Sequence, residues 1–348
     1  HRAFLGLRDK LTGGQTIAAC QVSVTGSTDA TVNGLSMKIT VRNGTVEITQ
    51  SDSKADQTKL AEKLKELLVA SQITTRNVAV GLPSDRVFTT VVDIERLAPA
   101  ELAKTIQYQA DSLIPTPVAE SKLDWAVIGD SPKDAAKVEV LLSSTTNKFA
   151  ESRLDLLESI GMNVIAFEPD NMALTRALLP PDSTAPTMII DIGSKSTDLV
   201  ITMNGLPRLI RAIPTGSDSI IRAAVQNLNV DEKQATEFVF KFGLSQQKLE
   251  GQVYNAIIGT VDVLMSDIEK SIKFFSARYK DTKLEKIIMT GGASALPEFP
   301  LHIANKFGIN VEIGNVWRNI QYDTSRQNEL MAVSNHFGVA VGLAERAE

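Results

Sequence analysis

Met188-Ile189-Ile190-Asp191-Ile192-Gly193-Ser194-Lys195-Ser196-Thr197-Asp198-Leu199-Val200 decides the reading of this chain. An apolar run ends in an acid, a glycine and a small polar cluster follow, and a second apolar run begins at Leu199. The pattern predicts two antiparallel strands joined by a tight turn whose N–H groups and hydroxyls face outward. Such a turn suits phosphate. Gly193 lets the backbone approach closely, Ser194, Ser196 and Thr197 can donate, and Asp191 can hold a hydrated divalent cation. An ordinary hairpin capped by Asp191 satisfies the same residues, so both readings stand on this stretch alone. About a hundred residues on, Ile287–Thr290 reads as a buried strand running into Gly291-Gly292-Ala293-Ser294, where small residues open a helix. Glycines there leave room for a ring or a phosphate, and the first N–H groups of a helix favour anions. The alternative is a strand–turn–helix corner in which glycine relieves crowding.

Composition bounds the rest. At 348 residues, with 43% hydrophobic and 22% charged residues, the chain has material for two domains and an ample core. A net charge of −5 without a basic stripe argues against nucleic acid. The single Cys20 excludes a disulfide framework, and three scattered histidines disfavour a histidine metal site. No run approaches the length of a membrane span and no signal peptide is visible, so a cytoplasmic protein is expected.

Strand and helix patterns alternate along the chain. Asn43-Gly44 predicts a hairpin between 37–41 and 45–49, and Leu60, Leu64, Leu67 and Leu68 give 59–70 a helical face. Strands are expected at 78–82 and 87–94, and a helix over 99–113 with Leu102, Ile106 and Ala110 at four-residue spacing. Pro115 and Pro117 stop that helix. Strands near 123–128 and 137–143, a helix at 148–160, a strand at 163–167 and a helix over 171–179 follow. Residues 180–186, rich in proline and small polar groups, read as a linker. One long helical stretch is expected over 231–279. Each half thus begins with a hairpin sheet and continues into helices.

The two glycine-bearing segments, in this order and spacing, resemble the second phosphate loop and the adenosine loop of the actin/Hsp70-like ATPases. Gln107–Pro117, with its Ile114-Pro115-Thr116-Pro117 stop, is followed by Leu123-Asp124-Trp125. With Phe167-Glu168-Pro169, Ile213-Pro214-Thr215-Gly216, Ser271–Phe275 and the tail Phe337–Ala344, this set resembles the PilM family. That family comprises actin-like proteins of the type IV pilus inner-membrane complex, related to FtsA. The likeness runs over nearly the whole chain from about Lys59.

The resemblance implies an α/β, two-lobed fold with an inserted 1C subdomain. It would place 1–85 and 162–183 in subdomain 1A, 86–161 in 1C, 184–222 and 283–348 in 2A, and 223–282 in 2B. It implies ATP with Mg²⁺ on Asp191, Gly193, Ser194, Ser196, Thr197, Gly291, Gly292, Ala293 and Ser294. It also implies a partner: the cytoplasmic N-terminal peptide of a PilN-like inner-membrane protein, in a groove between 1A and 1C to which Ile106 and Tyr108 would contribute, the alternative being that both pack inside 1C. The motor ATPases would be further partners, and the membrane would be reached only through partners.

The departures point to weak or lost ATP binding. Family members begin with Gly-[Leu/Ile]-[Asp/Glu]-Ile-Gly, whereas 5–15 here keeps no acidic-x-Gly, and Ala18 stands near the expected lysine. In the second half, the family's glutamate and lysine at the ribose and base are replaced by Thr236 and Val239. Each lost charge-assisted hydrogen bond is worth about 1.5–3 kcal/mol, so two or three cost several orders of magnitude in affinity. The expectation is a non-enzymatic scaffold. An FtsA-like filament-forming tether and a small-molecule kinase are the alternatives. The acidic, short tail 340–348 disfavours the first and the altered first loop the second.

Overall fold

The computed structural model describes residues 18–19, 30–34, 37–41, 54–70, 73–322 and 324–346. Contacts divide the chain into two compact units: residues 1–131, 136–177 and 316–348 form one, and 132–135 with 178–315 the other.

Unit 1 opens with short strand β1 (Ala18–Ala19), the pair β2 (Ala30–Gly34) and β3 (Met37–Val41), and helix α1 (Lys54–Ala70). Strand β3 pairs antiparallel with β2. The hairpin expected between 37–41 and 45–49 has its second arm outside the described residues, as does the stretch 5–15. Next come β4 (Asn77–Leu82), β5 (Val87–Glu95), α2 (Pro99–Leu113), β6 (Ser121–Asp130), β7 (Lys137–Thr146), α3 (Asn147–Ser159), β8 (Asn163–Pro169) and α4 (Asp170–Leu178). A parallel sheet runs β1-β4-β8, and an antiparallel one β5-β7-β6.

Helix α2 shows why the second sheet folds. Pro99 occupies a first-turn position where its missing N–H costs nothing, and Ile114 turns extended before Pro115. Leu102, Ile106 and Ala110 then share one buried face, from which Leu102 and Ile106 pack with Ile94, Val138, Val140 and Leu142. Strand β7 lies in the middle of the sheet and is buried on both faces.

Unit 2 holds one five-stranded sheet, β11-β10-β9-β12-β13. It comprises β9 (Thr187–Ile192), β10 (Thr197–Met203), β11 (Leu206–Ile213), α5 (Ser217–Leu228), α6 (Glu232–Phe242), α7 (Gln252–Arg278), β12 (Lys286–Thr290), α8 (Phe299–Phe307) and β13 (Asn310–Ile313). Strand β9 pairs antiparallel with β10 and parallel with β12, so its unbroken Met188–Ile190 run is covered on both faces. Met188, Ile190 and Ile192 join a core with Ile220, Ile257, Leu264 and Phe275.

Two expectations change. The helical stretch 231–279 is two helices: Gly243 takes φ +50°, and Leu249, Glu250 and Gly251 form a left-handed turn before α7. No proline marks that break, and the sign of it in the sequence was the pair Gly243 and Gly251, one closing α6 and the other opening α7. The expected division also kept 283–348 together, whereas 316–348 cluster with unit 1. There Trp317 is fully buried and donates from Nε1 to Leu330 O at 2.8 Å. After α9 (Gln327–Val333), α10 (Gly338–Ala344) packs so closely on α4 that a side-chain carbon at Gly342 would sit 1.8 Å from Ala173 O.

Candidate nucleotide site and partner groove

The register of three strands builds the polar corner of unit 2. Asp191 pairs across β9–β10 with Asp198 and across β9–β12 with Thr290, and paired residues point to the same face. Two carboxyls and a hydroxyl therefore share one face at the end of the sheet. Asp191 keeps a window to the surface but sits mostly among protein atoms. Burial, with the neighbouring Asp198 charge second, pushes its carboxyl up to about 7. Thr290 is buried, and its hydroxyl makes no hydrogen bond within the protein. Gly291 follows at φ +84°, and a side-chain carbon there would lie 2.4 Å from Asp191 Oδ1. Only glycine meets both demands.

The turn after β9 closes on itself and on α5. Gly193 N–H donates to Ser196 O at 3.0 Å, while the Ser217 and Asp218 N–H groups donate to the Gly193 and Ser194 carbonyls, each at 2.9 Å. The first amides of α5 are thus spent on the turn. Gly216 permits this contact, since a side-chain carbon there would meet Ser194 O at 2.4 Å.

Several residues expected to face a nucleotide are committed elsewhere. Thr197 is fully buried and its hydroxyl donates to Thr215 O at 2.7 Å. Ser294 is fully buried and donates to Gly291 O at 2.7 Å, and Ala293 lies in the core. The side chains at these three positions are corrected from ligand contacts to scaffolding: the Thr197 hydroxyl ties β10 to the segment after β11, the Ser294 hydroxyl closes its own turn, and Ala293 packs in the core. Asp191, Gly193, Ser194, Ser196 and Gly292 remain at the surface of the corner. Thr290 and Asp198 join it unforeseen. The signal for Asp198 lay in the hairpin register, since pairing Ile192 with Thr197 puts it opposite Asp191, whereas Thr290 arrives through the parallel pairing of β12 with β9.

The base corner offers less. Val239 is fully buried in the core, and Thr236 donates to Glu232 O at 2.7 Å. The end of α6 closes on the glycine segment, with Leu244 N–H donating to Pro297 O at 2.9 Å. The corner fits half of a metal–phosphate site: an acid, an orphaned buried hydroxyl and glycines close to them. It does not fit a ribose or base clamp on α6. Among the described residues no group of three His, Cys, Asp or Glu side chains is placed to hold a metal by itself.

Unit 1 carries a different kind of site. Between the first turns of α2 and strand β6 runs an open groove of about 730 Å³, lined by Arg96, Leu97, Pro99, Leu102, Trp125 and Val127. Among the described residues strand β6 pairs only with β7 and stands at the edge of its sheet. Leu123 and Trp125 pack toward α2 from that strand, and Val127 is 48% exposed. Ile106, expected to touch a partner, is fully buried in the core beneath α2. That expectation is corrected: the four-residue spacing that makes the helix amphipathic turns Ile106 inward. Tyr108, two residues on, is 91% exposed and lies outside the groove lining.

The family model described as type IV pilus assembly protein PilM matches residues 16–348. A solved structure titled PilM-PilN type IV pilus biogenesis complex is 23% identical, with a TM-score of 0.72 over 89% of this chain and 90% of that one. The MreB5 protein of Spiroplasma citri bound to AMPPNP is 12% identical, with a TM-score of 0.51 over 85% of this chain and 77% of that one. Its ADP-bound form matches at 13% identity with a TM-score of 0.50, over the same shares of the two chains. The fold is therefore that of the actin-like ATPases. Among the described residues no helix is long and apolar enough to cross a membrane.

Proposed function

The chain belongs to the PilM family of type IV pilus assembly proteins, and from that membership we propose that it works as an actin-like scaffold of the pilus machine rather than as an ATPase. It sits at the cytoplasmic face of the inner membrane, held there by the N-terminal peptide of a PilN-like protein, and connects that complex with the motor ATPases. The solved relative is itself titled as a complex with PilN, which supports a peptide partner of this kind.

The observation that carries the reading is a contrast. The family match runs over residues 16–348, while two of the side chains expected on ATP, Thr197 and Ser294, are tied into the protein's own backbone and the α6 positions offer no clamp for the base. If Mg²⁺ and ATP do bind, Asp191 and Thr290 would hold the hydrated cation, Gly193, Ser194, Ser196 and Gly292 would line the phosphates, and the cation would neutralise phosphate charge. Burial raises the Asp191 carboxyl, so holding a cation there also requires its proton to leave, and the α6 side offers no ribose or base clamp to add affinity.

The open groove along β6 is the surface we assign to the peptide. The chain has two tryptophans, and Trp317 is fully buried while Trp125 lines the groove. Titration with a synthetic peptide from the N-terminus of a PilN-like protein should shift the emission saturably, and Trp125→Phe should remove the shift. Saturable binding with unchanged Trp125 emission would move the peptide elsewhere on unit 1; no binding at all would refute the adaptor reading.

A further inference from the structure

The last described residues fold back onto unit 1 around a tight set of charges. Glu168, at the end of β8, is buried, and its carboxylate is gripped by both Nη atoms of Arg176, with Nη1 3.2 Å from Oε2. Arg346 Nη1 reaches the same carboxylate at 3.4 Å. Arg176 Nη1 also donates to the Gly342 carbonyl at 2.5 Å, so α10 and the residues after it are held to α4 and β8 by one guanidinium.

Glu345 lies inside this clasp. Both of its carboxylate oxygens are enclosed, and neither forms a well-shaped hydrogen bond. The groups facing it are Arg176 of α4, already taken by Glu168 and Gly342, and Asn319 of the segment after β13. Asp124 of β6 faces Arg346, and His336, in the turn before α10, is the other titratable group of the segment. A carboxylate walled off with its nearest cation already paired is costly to ionise.

We propose that the Glu345 carboxyl is a proton-operated latch on the C-terminal helix: neutral, it lets α10 and the Arg346–Glu168 pair close onto unit 1, and charged, it loosens them. Burial raises Glu345 from 4.5 to about 7, with Asn319 and Arg176 opposing more weakly. Raised in the closed state, its contribution is complete below about 4.5, is lost as pH climbs toward 7, and is flat above. His336 acts with the opposite sign, because burial lowers its pKa and closure weakens on acidification.

Hydrogen exchange of the 338–346 amides in the full chain, corrected for the intrinsic rate, tests this at pH 5.5 and 7.5. Opening should be roughly tenfold greater at the higher pH in the wild type. Glu345→Gln should stay protected at both, while His336→Asn should keep the wild-type trend. Asp191 of unit 2 titrates in the same range, so the trend must also survive in Asp191→Asn. A pH-independent wild type, an unchanged trend in Glu345→Gln, or loss of the trend in Asp191→Asn would overturn the latch. If Glu345→Gln folds poorly, ¹³C titration of wild-type glutamate carboxyls decides: one midpoint near 7 supports the latch, and none above the ordinary range sinks it.

Discussion

The corner at the end of β9 and the groove along β6 show two opposite uses of surface. At the corner, polar groups are abundant but partly consumed: Thr197 bonds the Thr215 carbonyl, Ser294 closes its own turn, and α5 spends its first amides on the Gly193–Ser194 carbonyls. At the groove, polar side chains are few, yet among the described residues a strand stands at the sheet edge beside apolar side chains that line an open groove. A buried, satisfied hydrogen bond cannot be offered to a ligand without first being broken. An open strand edge has only water to lose. On the proposed reading, the protein keeps the form of a nucleotide-binding lobe and works through a docking surface on the other unit.

The comparison can be broken most forcefully at Gly291. Gly291→Ala must strain a left-handed residue and displace Asp191, so it should cost about 3 kcal/mol or more, read by denaturant unfolding. Below the unfolding transition, peptide affinity should be unchanged. Shared loss of peptide binding would show that the two regions are not separable.

Next is the helix that walls the groove. Ile106→Ala opens a cavity under α2 and should cost roughly 2–4 kcal/mol by the same measurement, whereas Tyr108→Ala should change stability by less than about 0.5 kcal/mol. Equal effects would contradict the placement of Ile106 in the core.

Asp191→Asn gives a graded test. The folded carboxyl lies above its unfolded value, so the wild type loses stability as pH rises from about 4 toward 7. The variant lacks that loss. It should be more stable than wild type at pH 8 by about 2 kcal/mol, with the gap closing toward pH 4. A gap that widens on acidification would reverse the sign of the account.

Much of this was legible in the sequence, for physical reasons. The β9–β10 hairpin follows from two apolar runs around a glycine-bearing turn, and α2 from apolar spacing between proline signals. The same spacing held the answer for Ile106, which period alone assigns to the buried side with Leu102 and Ala110. Hydroxyl roles were not legible, because Thr197 and a ligand-facing threonine differ only in where a turn places Oγ1. Nor was the return of 316–348 to unit 1, since chain adjacency carries no information about which unit a tail packs on. The groove depended on which strand lies at the edge, and sheet order is set by pairing that residue types leave open.

The central claim is that the corner is a scaffold remnant and not a working nucleotide site. Calorimetric titration of the full chain with ATP and Mg²⁺ at pH 8, where Asp191 is ionised, gives it every advantage. The account predicts no binding tighter than the millimolar range, and the same result for Asp191→Asn. Micromolar binding that Asp191→Asn abolishes would contradict it and make nucleotide control of partner docking the next problem.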